Sequence, residues 1–379
     1  MNLIALKMLI GDRAKYLGLI FGIMFATLLM AQQLSLFIGI MQRTSKIIED
    51  VSEVDIWVMD KRVSYLDGVE PIADTNLNLV RSIPGVKWAV PFYKGQVVMR
   101  IGDILQASVL IGFDDVSYVG APKQMIMGNL EDLKKPDSVI IDKTGYQYIW
   151  PNEPFKIGRT IEVNDRRMEI VGICNAAQPF SVPVIIFARY SQAIKYLPSG
   201  RNKMSFVLAK TKDGFDSNEV ANKIEEQTNL KAETWQEFKA DTIDYFMTHT
   251  AIPINFGVTV LLGFIIGVVI SGQTFYIFVI ENLRQFGTLK AIGINNRKIV
   301  MMVLTQAMMV GFIGFGIGIG LTSIFFSRVG QSVPAFQGFY LYPQVVIGTA
   351  VAVFLIMIIA SFASVRKVFT LDPAIVFRS

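Results

Sequence analysis

The stretch Glu281–Gly293 reads ENLRQFGTLKAIG and follows directly on Ile254–Ile280, one of the most apolar runs in the chain. It carries Glu281, Arg284 and Lys290, and another apolar run begins at Ile299. A short charged helix, interrupted by glycine and set between two segments of lipid-spanning length, marks a turn at a membrane face.

Four segments reach the roughly 20 apolar residues that a helix needs to cross a bilayer. They are Tyr16–Met41, Ile254–Ile280, Ile299–Phe326 and Val345–Ala363. Residues 1–15, MNLIALKMLIGDRAK, are expected to form an amphipathic helix. The apolar run behind them is too long for a signal peptide, and no small-residue cleavage site follows it. Residues 42–250 differ in character. Strand-like runs such as QVVMRIGDILQASVLIGF and RTIEVNDRRMEIVGI alternate with helix-like ones such as SNEVANKIEEQ, in which Ser217 is the expected N-cap. This predicts an integral membrane α-helical protein with four transmembrane helices and a large α+β domain inserted between the first and second. RTSKIIEDVSE and TWQEFKADTIDYFMTHT read as helices continuous with those two spans, a stalk carrying the domain.

Lysine and arginine set the orientation. Lys7, Arg13 and Lys15 flank the first span, Arg284, Lys290, Arg297 and Lys298 fill the 281–298 loop, and Arg366, Lys367 and Arg378 lie in the 364–379 tail. The 329–343 loop has neither residue type. Both termini and the 281–298 loop are therefore expected in the cytoplasm, with 42–250 and 329–343 extracytoplasmic.

Composition narrows the function. The chain has 379 residues, 52% hydrophobic and 18% charged, with a mean hydropathy of +0.45. The formal charge of +5 gathers at span ends, so no nucleic-acid partner is expected. A single cysteine, Cys174, and a single histidine, His249, argue against a disulfide framework, a metal centre or a catalytic triad. No G-x-x-x-x-G-K-[ST] loop is present, so ATP binding is not expected in this chain. No cofactor or enzymatic activity is expected of it either.

Within the spans, GFGIGIG contains Gly316 and Gly320 at small-xxx-small spacing, as are Gly263 and Gly267, and both pairs are candidates for helix packing or a dimer contact. No charged residue lies in mid-span, which weighs against an ion-coupled carrier. Gln32, Gln33 and Asn255, with Tyr245 and His249 just outside the second span, are the candidate substrate contacts. Four helices make a thin conduit, so a dimer is expected. Trp57, Trp88, Trp150 and Trp235 read as packing residues.

ENLRQFGTLKAIG resembles the signature of the FtsX-like permeases, the MacB-type transmembrane subunits of ABC systems, at Glu281, Phe286, Gly287, Leu289, Lys290, Ala291, Ile292 and Gly293. LDPAIVFR, Leu371–Arg378, resembles the family's terminal motif, with Phe377 in place of the usual leucine. RSIPGVKWAVPFY (Arg81–Tyr93) and GRTIEVNDRRMEIVGI (Gly158–Ile173) resemble elements of its MacB-type periplasmic domain. The N-terminal half is most similar to the DevC-like exporters. The resemblance implies a homodimer in the bacterial cytoplasmic (inner) membrane, associated with two copies of a separate ATPase that binds ATP and Mg. It implies that 281–298 is a coupling helix docking on that ATPase through Glu281, Arg284, Phe286, Gly287, Leu289, Lys290, Ala291 and Gly293. Phe286 would be its apolar knob, and Gly287 and Gly293 would permit sharp turns. The implied activity is mechanotransmission and export of an amphipathic or hydrophobic substrate, with an adaptor and an outer-membrane channel as further partners. The alternatives are a signalling scaffold activating a cell-wall hydrolase and a lipoprotein-releasing permease.

Overall fold

The chain divides into two units that follow its change in hydropathy. The computed structural model describes residues 2–51, 53–176, 178, 182–196, 203–333 and 336–369. It begins with α1 (Asn2–Gly11) and α2 (Arg13–Asp50). Next come β1 (Ile56–Met59), β2 (Ile72–Ala73), α3 (Thr75–Ser82), β3 (Val86–Ile101), β4 (Ile104–Phe113), β5 (Met125–Met127) and β6 (Ser138–Asp142). They are followed by α4 (Lys143–Ile149), β7 (Thr160–Val163), β8 (Arg166–Cys174), β9 (Ile185–Arg189), α5 (Tyr190–Ala193), β10 (Lys203–Met204) and β11 (Phe206–Thr211). The chain continues through α6 (Ser217–Thr228), β12 (Lys231–Thr234) and α7 (Trp235–His249). It closes with α8 (Ile252–Glu281), α9 (Leu283–Ala291), α10 (Asn296–Ser332) and α11 (Pro343–Phe369).

The helical unit comprises residues 1–39, 251–332 and 338–379. Among the described residues, four helices (α2, α8, α10 and α11) are long and apolar enough to cross a membrane. Their inward faces share one buried cluster containing Ile23 and Ala26 of α2, Phe275 and Phe278 of α8, Val303 and Val310 of α10, and Ile356 and Met357 of α11. Phe312 and Phe362 point away from that cluster and are 79% and 76% exposed, as befits side chains that meet lipid. The two expected stalk helices behave differently. Helix α2 runs unbroken to Asp50. Helix α7 is not continuous with α8: it stops at His249, Thr250 is extended, and α8 restarts with proline in its first turn. Pro253 lacks the N–H that an uninterrupted helix would need.

The second unit comprises 40–250 and 333–337. Its base is an antiparallel sheet ordered β12-β1-β11-β3, with α3 between β1 and β3 and α6 between β11 and β12. That is a split β-α-β-β-α-β arrangement. Its strands are buried on both faces, and alternation sorts their side chains. Ile56, Val58, Val207 and Ala209 share a cluster with Val80 and Ile224 of the covering helices. Trp57, Met59, Phe206 and Leu208 share another with Ile47 and Ile48 of α2 and Phe238 of α7. Trp57 meets Phe92 and Phe206 edge-on, with ring centres 5.6 and 5.3 Å apart.

The distal half of β3 leaves this sheet and starts another layer. Pairing runs β3-β4-β9-β6-β8-β7 and returns to β3 through Met99 opposite Val163, so six strands close on themselves. Closure leaves no free edge there, and Val97, Leu110, Ile141, Ile161, Ile170 and Ile186 belong to the apolar cluster of these strands. The β7–β8 hairpin turns on Asn164 and Asp165, both with positive φ (48° and 62°), the two-residue turn that Asn and Asp favour. The N-cap of α6 is Asp216, one residue before the expected Ser217.

Candidate functional site

The turn at ENLRQFGTLKAIG is made by Asn282, a residue that sequence reasoning passed over. It ends α8 and opens α9, and its side-chain amide donates to the Phe278 carbonyl at 2.8 Å, a second donor to a carbonyl that already accepts the Asn282 N–H. The far end of α9 is closed by Gly293, whose φ of +91° suits glycine. There the Gly293 N–H donates to the Lys290 carbonyl and the Ile294 N–H to that of Leu289, a Schellman termination. Gly287, expected at a turn, lies buried in mid-helix instead.

Nine residues of helix sort cleanly into two faces. Phe286 is fully buried in the cluster that includes Leu9 of α1, Val279 of α8 and Ile299 of α10, with Leu283, Leu289 and Ile294 packed against it. The expectation that Phe286 is an outward knob is therefore corrected: the ring anchors α9 to its own chain. The other face exposes Arg284, Gln285, Thr288 and Ala291, with Glu281 exposed at the end of α8. Lys290 is half-buried. Beyond it, Ile292 is 75% exposed, the large apolar group this surface offers.

Glu281 has an intramolecular role. The ammonium of Lys15, at the start of α2, bridges the carboxylates of Asp12 and Glu281. A basic residue beside the first span is thereby tied to the end of the second. A cleft of about 840 Å³ opens alongside, lined by Lys7, Asp12, Arg13, Glu281, Asn282 and Gln285 among others.

The two glycine pairs part company. A Cβ at Gly263 would sit 3.3 Å from Met30, and one at Gly267 would sit 2.9 Å from both Ala26 and Ile356, so α8 needs these glycines to approach α2 and α11. Gly316 and Gly320 meet nothing within 4 Å and are exposed. The intrachain contact of α10 is made by Gly314 and Gly318, where a Cβ would press on Ile23 and the Ile20 carbonyl, or on Thr27 and the Met24 carbonyl. The candidate substrate contacts are not one cluster. Tyr245 stacks between Tyr65 (3.8 Å between centres) and His249 (4.9 Å) in the α+β unit. Gln32 and Gln33 are half-buried on α2 and Asn255 is exposed on α8, in the helical unit. The terminal motif Leu371–Arg378 lies outside the described residues. Among the described residues no group of three or more His, Cys, Asp and Glu could hold a metal.

Four spanning helices, a mixed α+β unit in sequence between the first two, and an amphipathic helix joining the second to the third define a class of polytopic membrane protein. The MacB-like periplasmic core domain matches residues 16–227, and the FtsX-like permease C-terminal domain matches 246–373. The chain belongs to this family, the MacB/FtsX-type ABC transporter permeases. It is 24% identical over 333 residues to an uncharacterised ABC transporter permease of Mycobacterium tuberculosis, covering 86% of this chain and 85% of the relative. It is 22% identical over 356 residues to the macrolide export ATP-binding/permease protein MacB of Photorhabdus laumondii, covering 89% of this chain but 54% of that protein. Among solved structures, the periplasmic region of MacB from Actinobacillus actinomycetemcomitans aligns at a TM-score of 0.37 and 14% identity, covering 52% of this chain and 96% of that one. The extracellular domain of YknZ, a noncanonic ABC-type transporter from Gram-positive bacteria, aligns at 0.35 and 13%, covering 48% and 98%.

Proposed function

We propose that this permease transmits the ATP-driven closure of a separate ATPase, bound in two copies with its ATP and Mg, to an extracytoplasmic α+β domain. The work done there exports an amphipathic or hydrophobic substrate. The observation that carries this reading is the two-faced α9. A helix whose buried face is seated by Phe286, while Arg284, Gln285, Thr288 and Ile292 face outward, is a rigid lever with a polar and apolar docking surface. Its Asn282 and Gly293 ends keep it distinct from the spans on either side, so a push on its outer face reaches α8 and α10 together.

The permease acts as a homodimer, with the open stripe of Gly316 and Gly320 as the face that meets the second copy. The basic span flanks support a reading in which the termini and α9 face the cytoplasm at a bacterial inner membrane, and in that reading an adaptor and outer-membrane channel extend the path. Co-purification of the full-length permease with its ATPase tests the docking surface. Ile292→Asp is expected to abolish the association while the permease still inserts, and undiminished association would overturn the assignment.

A further inference from the structure

The connection between α10 and α11 is the short loop expected to be extracytoplasmic. Its residues Val333 and Gln337 group with the α+β unit. Gln337 makes three kinds of contact there. Its side-chain carbonyl accepts from the Thr144 hydroxyl at 3.2 Å, and its side-chain NH2 donates to the Gln147 carbonyl oxygen at 2.9 Å. Its backbone carbonyl accepts from the guanidinium of Arg43, on the outer part of α2. Arg43 reaches on to Gln178 at 3.5 Å, and buried Gln178 donates to the Pro183 carbonyl at 3.2 Å.

The seat for Gln337 is stiff. Thr144 and Gln147 stand on α4, whose first turn is capped by the fully buried Asp142. One carboxylate oxygen accepts from the Gly145 N–H and the other from the Ile185 N–H, both at 2.8 Å, so α4 is bound to the head of β9. A glutamine amide offers a donor and an acceptor in fixed opposition. Here both are used on one short helix, a geometry that holds the loop in a single register.

We infer that Gln337 is a positioning residue that clamps the α10–α11 connection to α4 and to α2. Hydrogen bonds thereby fasten the α10–α11 connection to the α+β unit, in addition to the chain connections through α2 and the α7–α8 junction. This rests on the mechanotransmission reading: motion of α10 and α11 would reach α4 through Gln337 as well as through the stalk. Coupling of this kind needs a contiguous set of contacts with a defined geometry, and the Arg43–Gln337–Thr144–Gln147 set supplies one.

The test is amide hydrogen exchange of the Lys143–Ile149 segment in the full-length permease bound to its ATPase, with and without a non-hydrolysable ATP analogue. In the parent complex, nucleotide is expected to change exchange in α4. Gln337→Ala removes both side-chain hydrogen bonds, should accelerate it up to about thirty-fold, and should abolish the nucleotide response without loss of ATPase association. Gln147→Glu keeps an acceptor for Gln337, and Gln337→Glu is met by turning the Gln147 amide, so each single variant should retain the response. Gln337→Glu with Gln147→Glu sets acceptor against acceptor and should lose it, a pattern that a general loosening of the loop would not produce. A nucleotide response that survives in both Gln337→Ala and the double variant overturns the clamp. A parent complex with no nucleotide response anywhere in the permease overturns the proposed function, and the clamp with it.

Discussion

Lys15 and Glu281 are 266 positions apart in sequence, yet the Lys15 ammonium lies against the Glu281 carboxylate while also holding Asp12. The pair ties the start of α2 to the end of α8, just before α9 begins. Glu281 is 54% exposed, so solvent screens the pair and it adds little to stability. Its consequence is geometric.

Charge reversal tests that geometry. Lys15→Glu and Glu281→Lys should each reduce ATPase stimulation in the permease–ATPase complex by about two- to five-fold, the worth of a partly exposed pair. The double reversal should recover most of it. Fold reductions that simply multiply in the double variant would show that the two residues act independently.

Phe286 and Ile292 should separate folding from docking. Phe286→Ala empties a fully buried site and should cost about 3–5 kcal/mol, lowering the unfolding temperature of the purified permease. Ile292→Asp, at an exposed position, should leave stability within about 0.5 kcal/mol of the parent while the ATPase no longer co-purifies. Thermal unfolding and pull-down on the same preparations read both effects.

The glycines of α10 predict opposite outcomes at neighbouring positions. Gly314→Leu forces a side chain into Ile23 and the backbone of α2 and should destabilise the monomer. Gly316→Leu projects into open space and should leave the unfolding temperature of the monomer unchanged while weakening the dimer. Unfolding temperature, together with dimer fraction by native electrophoresis, distinguishes them.

A carboxyl pair beside α7 predicts a pH dependence. Burial raises the Glu233 carboxyl above its ordinary range, and Asp241 adds to the rise while Lys231, 2.6 Å away, opposes it. A raised value in the folded state means the contribution is complete below about pH 4.5 and is lost as pH climbs through the folded value, because the unfolded chain ionises first. Asp60 runs the other way: the Arg62 hydrogen bonds hold it below its ordinary value, so its share is lost only in acid. Unfolding between pH 5 and pH 8 should therefore show declining stability that Glu233→Gln flattens.

Much of the architecture was legible in sequence because it rests on local quantities. Span number follows from apolar length, and the family from the ENLRQFGTLKAIG pattern. The short helix α9 was legible for the same reason, since Gly293 can be read as a helix stop without knowing what surrounds it.

Direction was not legible. Periodicity reports which residues share a face, never which face meets a neighbour. In GFGIGIG the pairs Gly314/Gly318 and Gly316/Gly320 have the same spacing, and only the presence of α2 beside the first pair tells them apart. Phe286 and Ile292 are both apolar members of one motif, and the packing of Leu9, Val279 and Ile299 decided that Phe286 turns inward and Ile292 outward. Closure of the six strands through Met99 and Val163, the bond between Lys15 and Glu281, and the seating of Gln337 on α4 join residues tens to hundreds of positions apart. The sequence by itself determined the class of protein and its membrane-length helices, because these are sums over adjacent residues. The tertiary structure decided which side of each helix does the holding and which is left to be held, because that depends on groups brought together only by folding.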